Sequence, residues 1–189
     1  MSKAIVQSSD PELVRRCQDG DVDAFQELVS RYHQKVYMVI FGLLRNRDDA
    51  LEVAQETFFR AYRKIGDFHG GSTFYTWLYR IAVNLAIDSQ RRQKRNPVDF
   101  RESMDGVFEE QRDFARDPFA DVHDRELREG LIAAINDLTP EHKAVIVLRT
   151  IEGMSYKDIG EVLGCSEGTV MSRLHYARKK LQEKLGGFL

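Results

Sequence analysis

STFYTWLYRIAVNLAIDSQRRQKR, residues 72–95, is a single helical stretch that is too apolar to be an ordinary surface helix. At about 100° per residue, Phe74, Trp77, Leu78, Ile81 and Leu85 form one stripe, the face a helix turns to a core. The other side carries Tyr75, Tyr79, Val83, Ala86 and Ile87. Such a helix must bury both sides, or keep one for a partner that offers flat apolar surface, and nucleotide bases are a partner of that kind. The stretch ends on Arg91, Arg92, Lys94 and Arg95 against a lone Asp88. Rings beside clustered cations suit single-stranded nucleic acid, because π-faces stack bases and cations meet phosphates. A core helix whose basic end complements its dipole explains the same residues without any ligand.

Working outward toward the N-terminus, three more helices precede it. Asp10 and Pro11 start a short helix that stops at Gly20, and Asp21 caps a second. Its apolar positions, Ala24, Phe25, Leu28, Val29, Tyr32, Val36, Val39, Ile40 and Leu43, step by three or four as far as Arg45. A third helix, 49–65, places Leu51, Ala54, Phe58, Ala61, Tyr62 and Ile65 on its buried side. Its outer face runs from acidic (Asp49, Glu52, Gln55, Glu56) to basic (Arg60, Arg63, Lys64), the order the helix dipole favours. The loop GDFHGG, residues 66–71, exposes Phe68 and His69 between glycines.

Toward the C-terminus the charge changes sign. Between Asp99 and Asp124 nine acids face three arginines, six net negative charges hidden inside an overall charge of -2. With Pro97, Gly106 and Pro118 and few apolar residues, this segment reads as an extended acidic linker. Beyond it, Leu127, Leu131, Ile132, Ala134, Ile135 and Leu138 predict an amphipathic helix, and Thr139 with Pro140 opens the next, which Gly153 ends. Ser155 and Asp158 form a capping-box-like start to a short helix, 156–163. Ser166 caps the last, whose buried stripe is Val170, Leu174, Ala177 and Leu181.

The pair around Gly164 has the requirements of a helix-turn-helix. Gly160 is the small residue at the crossing, Gly164 can take positive φ, and Ile159, Leu163, Cys165 and Val170 are apolar at fixed offsets. The second helix would expose Glu167, Thr169, Met171, Ser172, Arg173, His175 and Tyr176, followed by Arg178 and Lys179, as equipment for reading a major groove. A plain helical hairpin is the competing description. His175 has no second ligand one turn away, and Cys17 and Cys165 sit in no CxxC or Cys/His spacing, so neither a metal site nor a disulfide framework is expected. No nucleophile, base and orienter occur together, and no cofactor is implied. The longest apolar run, 37–44, is too short to cross a bilayer, and no basic start precedes an apolar segment; the chain is expected in the cytoplasm. The length of 189 residues and the 42% hydrophobic and 31% charged content fit an all-α chain of two small domains, 1–95 and 121–189, joined by a linker at 96–120.

Taken together, a four-helix aromatic-basic domain, an acidic linker and a four-helix domain with a helix-turn-helix resemble a bacterial RNA polymerase sigma factor. The group is the extracytoplasmic-function (ECF) one, of the envelope-stress sigma-E type. The strings that carry the resemblance are DALEVAQETFFRAYRKI (49–65), FYTWLYRIAVN (74–84) and EGMSYKDIGEVLGCSEGTVMSRLHYARKKL (152–181). The resemblance implies that Asp49, Glu52, Gln55 and Glu56 dock on core RNA polymerase, through its β′ and β subunits. It implies that Arg60, Lys64, Phe68, His69, Tyr79, Asn84, Arg91 and Arg92 meet the −10 promoter element, with a flipped base held near Arg60, Lys64, Phe68 and Asn84. It assigns Ser166, Glu167, Thr169, Met171, Ser172, Arg173, His175, Tyr176, Arg178 and Lys179 to the −35 element, and it implies a non-catalytic subunit regulated by an anti-sigma factor. An autonomous helix-turn-helix regulator and a helical enzyme with a DNA-binding module are the alternatives.

Overall fold

The computed structural model describes residues 8–95 and 130–186, with side chains omitted for 93–95. The acidic linker expected at 96–120 and the start of the helix expected from Leu127 lie outside the described residues. Among those described, all regular structure is helical. The helices are α1 (Asp10–Gln18), α2 (Val22–Leu44), α3 (Arg47–Lys64), α4 (Phe74–Arg95), α5 (130–136), α6 (Pro140–Ile151), α7 (Tyr156–Leu163) and α8 (Glu167–Leu185).

Their ends follow local chemistry. Asp21, Asn46, Thr139, Ser155 and Ser166 each accept a backbone N–H two or three residues into the helix they precede, satisfying a donor that has no intrahelical partner. Two starts differ from expectation. Ser9, not Asp10, is the N-cap of α1, because the Asp10 carboxylate is engaged by Arg31 and by the Tyr32 hydroxyl on α2. The α3 helix begins at Arg47, since the Asn46 side chain caps it by accepting from the Asp49 N–H at 3.0 Å.

Helices α1 to α4 pack around Leu13, Leu28, Val36, Ile40, Phe58, Phe74 and Leu78, and α6 to α8 around Val145, Leu148, Ile159, Val170 and Leu174. On α3 the buried face is rotated from the expected one: Ala50, Val53 and Thr57 are inside, while Leu51 and Tyr62 are 37% and 48% exposed. Thr57 can be inside because its hydroxyl donates back to the Val53 carbonyl at 2.7 Å. Leu181, expected in the stripe of α8, is only half-buried.

The two halves also pack on each other. Helix α4 lies against α7, and α2 against α6, so the apolar residues of both halves form one continuous cluster. This answers the question posed by the two-sided apolar helix. In this structure the second face of α4 is covered by the chain's own C-terminal half, with Tyr79 fully buried and Tyr75 half-buried there.

Candidate nucleic-acid and polymerase interfaces

Along α3, Leu51, Gln55, Phe59 and Tyr62 recur every three or four residues and are all exposed, giving a partly apolar strip on a helix surface. Phe59 stands 56% exposed with the Arg63 guanidinium 5.7 Å from its ring centre, and Tyr62 meets Phe25 edge-on at 5.0 Å. Beside this strip a cleft of about 320 Å³ is lined by Glu52, Gln55, Glu56, Phe59, Arg60 and Arg92. It brings three acids and amides assigned to polymerase docking next to two cations assigned to −10 DNA. Glu56 and Arg60 pair at 2.6 Å across one helical turn, so these two side chains occupy each other. Asp49 stands at the start of the same helix.

The GDFHGG loop is held more firmly than its glycines suggest. Residues 65–67 form a 3-10 turn, and Gln18 of α1 donates to the Ile65 and Phe68 carbonyls at 3.0 and 2.8 Å. Phe68 is not free in solvent but packs against Trp77 (5.1 Å) and edge-on to Phe74 (6.3 Å). His69, Lys64, Asn84, Arg91 and Arg92 are exposed. Asn84 is seven residues beyond Trp77, roughly 10 Å along the helix axis. Tyr79 is 0% exposed, and nucleic acid cannot reach it in this arrangement. Among the described residues no partner meets hydrogen-bond geometry with its hydroxyl; burial first, and the nearby Glu152 carboxylate second, push it far above the usual tyrosine range.

The C-terminal half builds the helix-turn-helix as expected. Gly164 sits at φ 63°, the Cys165 N–H donates to the Gly160 carbonyl at 2.9 Å, and a Cβ on Gly160 would lie 2.7 Å from the Cys165 carbonyl oxygen. The crossing thus needs glycine at 160 for space and favours it at 164 for conformation. On α8, Glu167, Met171, His175 and Arg178 share one open face, flanked by exposed Ser172, Tyr176 and Lys179. Ser166 is the exposed cap, with Thr169 half-buried behind it. Arg173 lies off that face: half-buried, it points its guanidinium at the Cys165 sulfur, 3.7 Å away. The Tyr176 ring packs at a tilt against His142 of α6, 4.6 Å between ring centres. Burial and the neighbouring Arg173 charge lower the His142 pKa below the ordinary imidazole value.

Several residues that shape these surfaces have no motif to reveal them. Gln18 and Phe59 are two, and Gly42, Lys143 and Glu152, each at a separate contact between the halves, are others. Gly42 alone leaves a trace, as a glycine inside an apolar helical run. No group of His, Cys, Asp and Glu among the described residues is arranged to hold a metal ion, and no described helix is long and apolar enough to cross a membrane.

Comparison with known proteins shows the family. The sigma-70 region 2 model matches residues 28–96 and the sigma-70 region 4 model residues 128–181. The chain is 40% identical over 187 residues to the ECF RNA polymerase sigma-E factor of Haemophilus influenzae, covering 95% of this chain and 96% of that one. It is 36% identical over 185 residues to the RNA polymerase sigma-H factor of Pseudomonas aeruginosa, covering 96% of each. Among solved structures it is similar to CnrH in complex with the cytosolic domain of CnrY. There the TM-score is 0.69 at 27% identity, over 95% of this chain and 99% of that one. It is also similar to the sigma factor RpoE in complex with the anti-sigma factor NepR from Bartonella quintana, with a TM-score of 0.68 at 25% identity over 87% of this chain and 98% of that one. The chain belongs to the sigma-70 family of RNA polymerase sigma factors, and within it to the ECF group.

Proposed function

We propose that this sigma factor works as a dissociable, non-catalytic subunit in the cytoplasm. It docks on core RNA polymerase through α3, carries it to a promoter through α8, and stabilises the strands that separate at the −10 element. The observation that carries the reading is the helix-turn-helix, whose second helix presents Glu167, Met171 and His175 on one open face. Supporting it, the exposed strip of α3 and the acids Asp49, Glu52 and Glu56 offer a protein-docking surface beside cations, Arg60, Lys64 and Arg92, that suit phosphates.

Division of labour follows from chemistry. Duplex reading needs side chains in a major groove, which α8 supplies. Melting needs a place for unstacked bases: removing one from its stack costs about a few kcal/mol, and stacking on an aromatic ring returns about 1 to 3 kcal/mol. Phe68 and His69 in the anchored loop and Asn84 further along α4 are the groups available for that. Residues 1–95 and 121–189 act as the two working domains, joined by the acidic segment 96–120. The similar sigma factor RpoE of Bartonella quintana, solved with the anti-sigma factor NepR, supports regulation of this chain by a partner of that class.

Purified chain added to core polymerase should direct transcription from defined start sites that core polymerase alone does not use. Absence of chain-dependent start sites, or a free dimer protecting a palindrome, would replace this reading with that of an autonomous regulator.

A further inference from the structure

The loop at residues 66–71 is made of residues that leave a backbone free, yet one side chain from another element ties it down. Gly66, Gly70 and Gly71 impose no shape of their own, and Gly70 takes φ 76°. Within the loop, the Phe68 N–H donates to the Ile65 carbonyl at 3.1 Å. From outside it, Gln18, the last residue of α1, donates from one nitrogen to the Ile65 carbonyl at 3.0 Å and to the Phe68 carbonyl at 2.8 Å. A side-chain amide nitrogen carries two hydrogens, so both are used, and a site faced by two carbonyls accepts the nitrogen of that amide and not its oxygen.

Helix α1 is itself fixed at both ends. At its start the Asp10 carboxylate accepts from the Arg31 guanidinium and the Tyr32 hydroxyl on α2, and Arg31 also donates to the Ser8 carbonyl at 2.9 Å. Leu13, midway, is fully buried. Near its end Arg16 pairs with Asp21, the N-cap of α2, at 2.7 Å. The Tyr32 ring carries the connection further, lying 5.8 Å from Phe74, which meets Phe68 edge-on. Phe68 is therefore held twice from α1, its carbonyl directly by Gln18 and its ring by way of Tyr32 and Phe74. Yet α1 ends before residue 28, where the match to sigma-70 region 2 begins.

We propose that Gln18 is a positioning residue for the −10 element, fixing the backbone of the 66–71 loop so that Phe68 and His69 meet a separated base in one arrangement. It acts through the loop and not by touching DNA. This rests on the −10 reading of that loop. Selectivity follows from the fixing. A loop that populates its base-accepting shape at a fraction f binds the right strand more weakly by that fraction, and a loop free to rearrange accommodates wrong bases as well. One net hydrogen bond corresponds to a factor of about two to twelve in such an equilibrium. Gln18 is exposed, so neither bond holds up the core and its removal leaves the fold in place.

The test uses the full chain with core polymerase, on a promoter mapped with the unsubstituted chain and on copies changed at single −10 bases or in the −35 segment. Gln18→Leu nearly keeps the side chain's size and removes its donors, while Gln18→Glu keeps its shape and sets a carboxylate against two carbonyl oxygens. Each should lower discrimination between intact and −10-changed promoters by about fivefold, Gln18→Glu at least as much as Gln18→Leu. Discrimination against −35 changes, affinity for core polymerase and the melting temperature should match the unsubstituted chain. Amide exchange across 66–71 in the free chain should quicken by about threefold, since a less restrained loop opens more often. Retention of −10 discrimination by both variants would overturn the proposal. So would equal losses at −10 and −35 with a lowered melting temperature, which would make Gln18 a staple of the fold alone. If the unsubstituted chain itself ignores −10 changes, the −10 reading of the loop fails and the role of Gln18 falls with it, an outcome distinct from one seen only in the variants.

Discussion

The Tyr75 hydroxyl on α4 donates to the Glu152 carboxylate at the end of α6, 3.3 Å across the seam between the two halves. An aromatic residue on the face that suits nucleic acid is thereby tied to the DNA-reading half. Removing the hydroxyl by Tyr75→Phe should weaken the seam by about 1 kcal/mol while keeping the ring's packing. Apparent affinity of the free chain for a −35 duplex should then rise by up to about fivefold, read by fluorescence anisotropy. Unchanged affinity would mean that this contact does not help to hold the two halves together.

Glu56 and Arg60 are both substantially exposed, so their pair contributes less than about 1 kcal/mol to the fold. Charge reversal at Glu52 and Glu56 should leave the thermal transition nearly unmoved and weaken association with core polymerase by tenfold or more. A pull-down titration checks it, and full retention of affinity would take α3 out of the docking surface.

At Gly160 the obstacle to any side chain is backbone, the Cys165 carbonyl oxygen at 2.7 Å from a would-be Cβ. Backbone gives way less easily than the tip of a flexible side chain. Gly160→Ala should therefore cost about 1 to 3 kcal/mol in the C-terminal half and misdirect α8. Thermal melting together with −35 duplex binding measures both effects; a variant normal in both would mean that the turn tolerates a wider angle.

His142 faces Tyr176 on α8, with Glu141, Arg173 and Lys180 as its charged neighbours. Its folded pKa is lowered, so its contribution to stability is present above the ordinary imidazole value of about 6.5 and is lost as pH falls through that range. Between pH 7.5 and 5.5 the native chain should lose more thermal stability than His142→Asn. Parallel pH profiles of the two would show that the contact with Tyr176 excludes no proton.

Much of this architecture was legible in the chain. Capping residues marked the starts of α2, α6, α7 and α8, and glycines the ends of α6 and α7, because a helix terminus is decided by side chains one to three residues away. The helix-turn-helix was equally open to reading, since Gly160, Gly164 and the apolar offsets act within ten residues of one another. What could not be read was which partner covers the second face of α4. Tyr75 and Tyr79 announced a partner with flat apolar surface, and bases fitted that description as well as α7 did; only the tertiary arrangement put α7 there. The same limit applies to Arg173. Its place in the recognition helix suggested base contact, but the turn draws it toward Cys165, so Arg173→Ala should weaken −35 binding through the shape of the turn and by similar amounts across promoter sequences. The rotated face of α3 is a third case, set by Thr57 satisfying its own hydroxyl inside the helix.

In the function proposed here, the anchored loop and the open side of α4 hold strands that have come apart. A photocrosslinking side chain placed at Phe68, and separately at Asn84, in the complex with core polymerase on a supercoiled promoter tests it most directly. Crosslinks to separated bases of the −10 segment are expected from both positions, appearing together with permanganate-reactive thymines. Crosslinks to polymerase or duplex alone, while the thymines react normally, would contradict it.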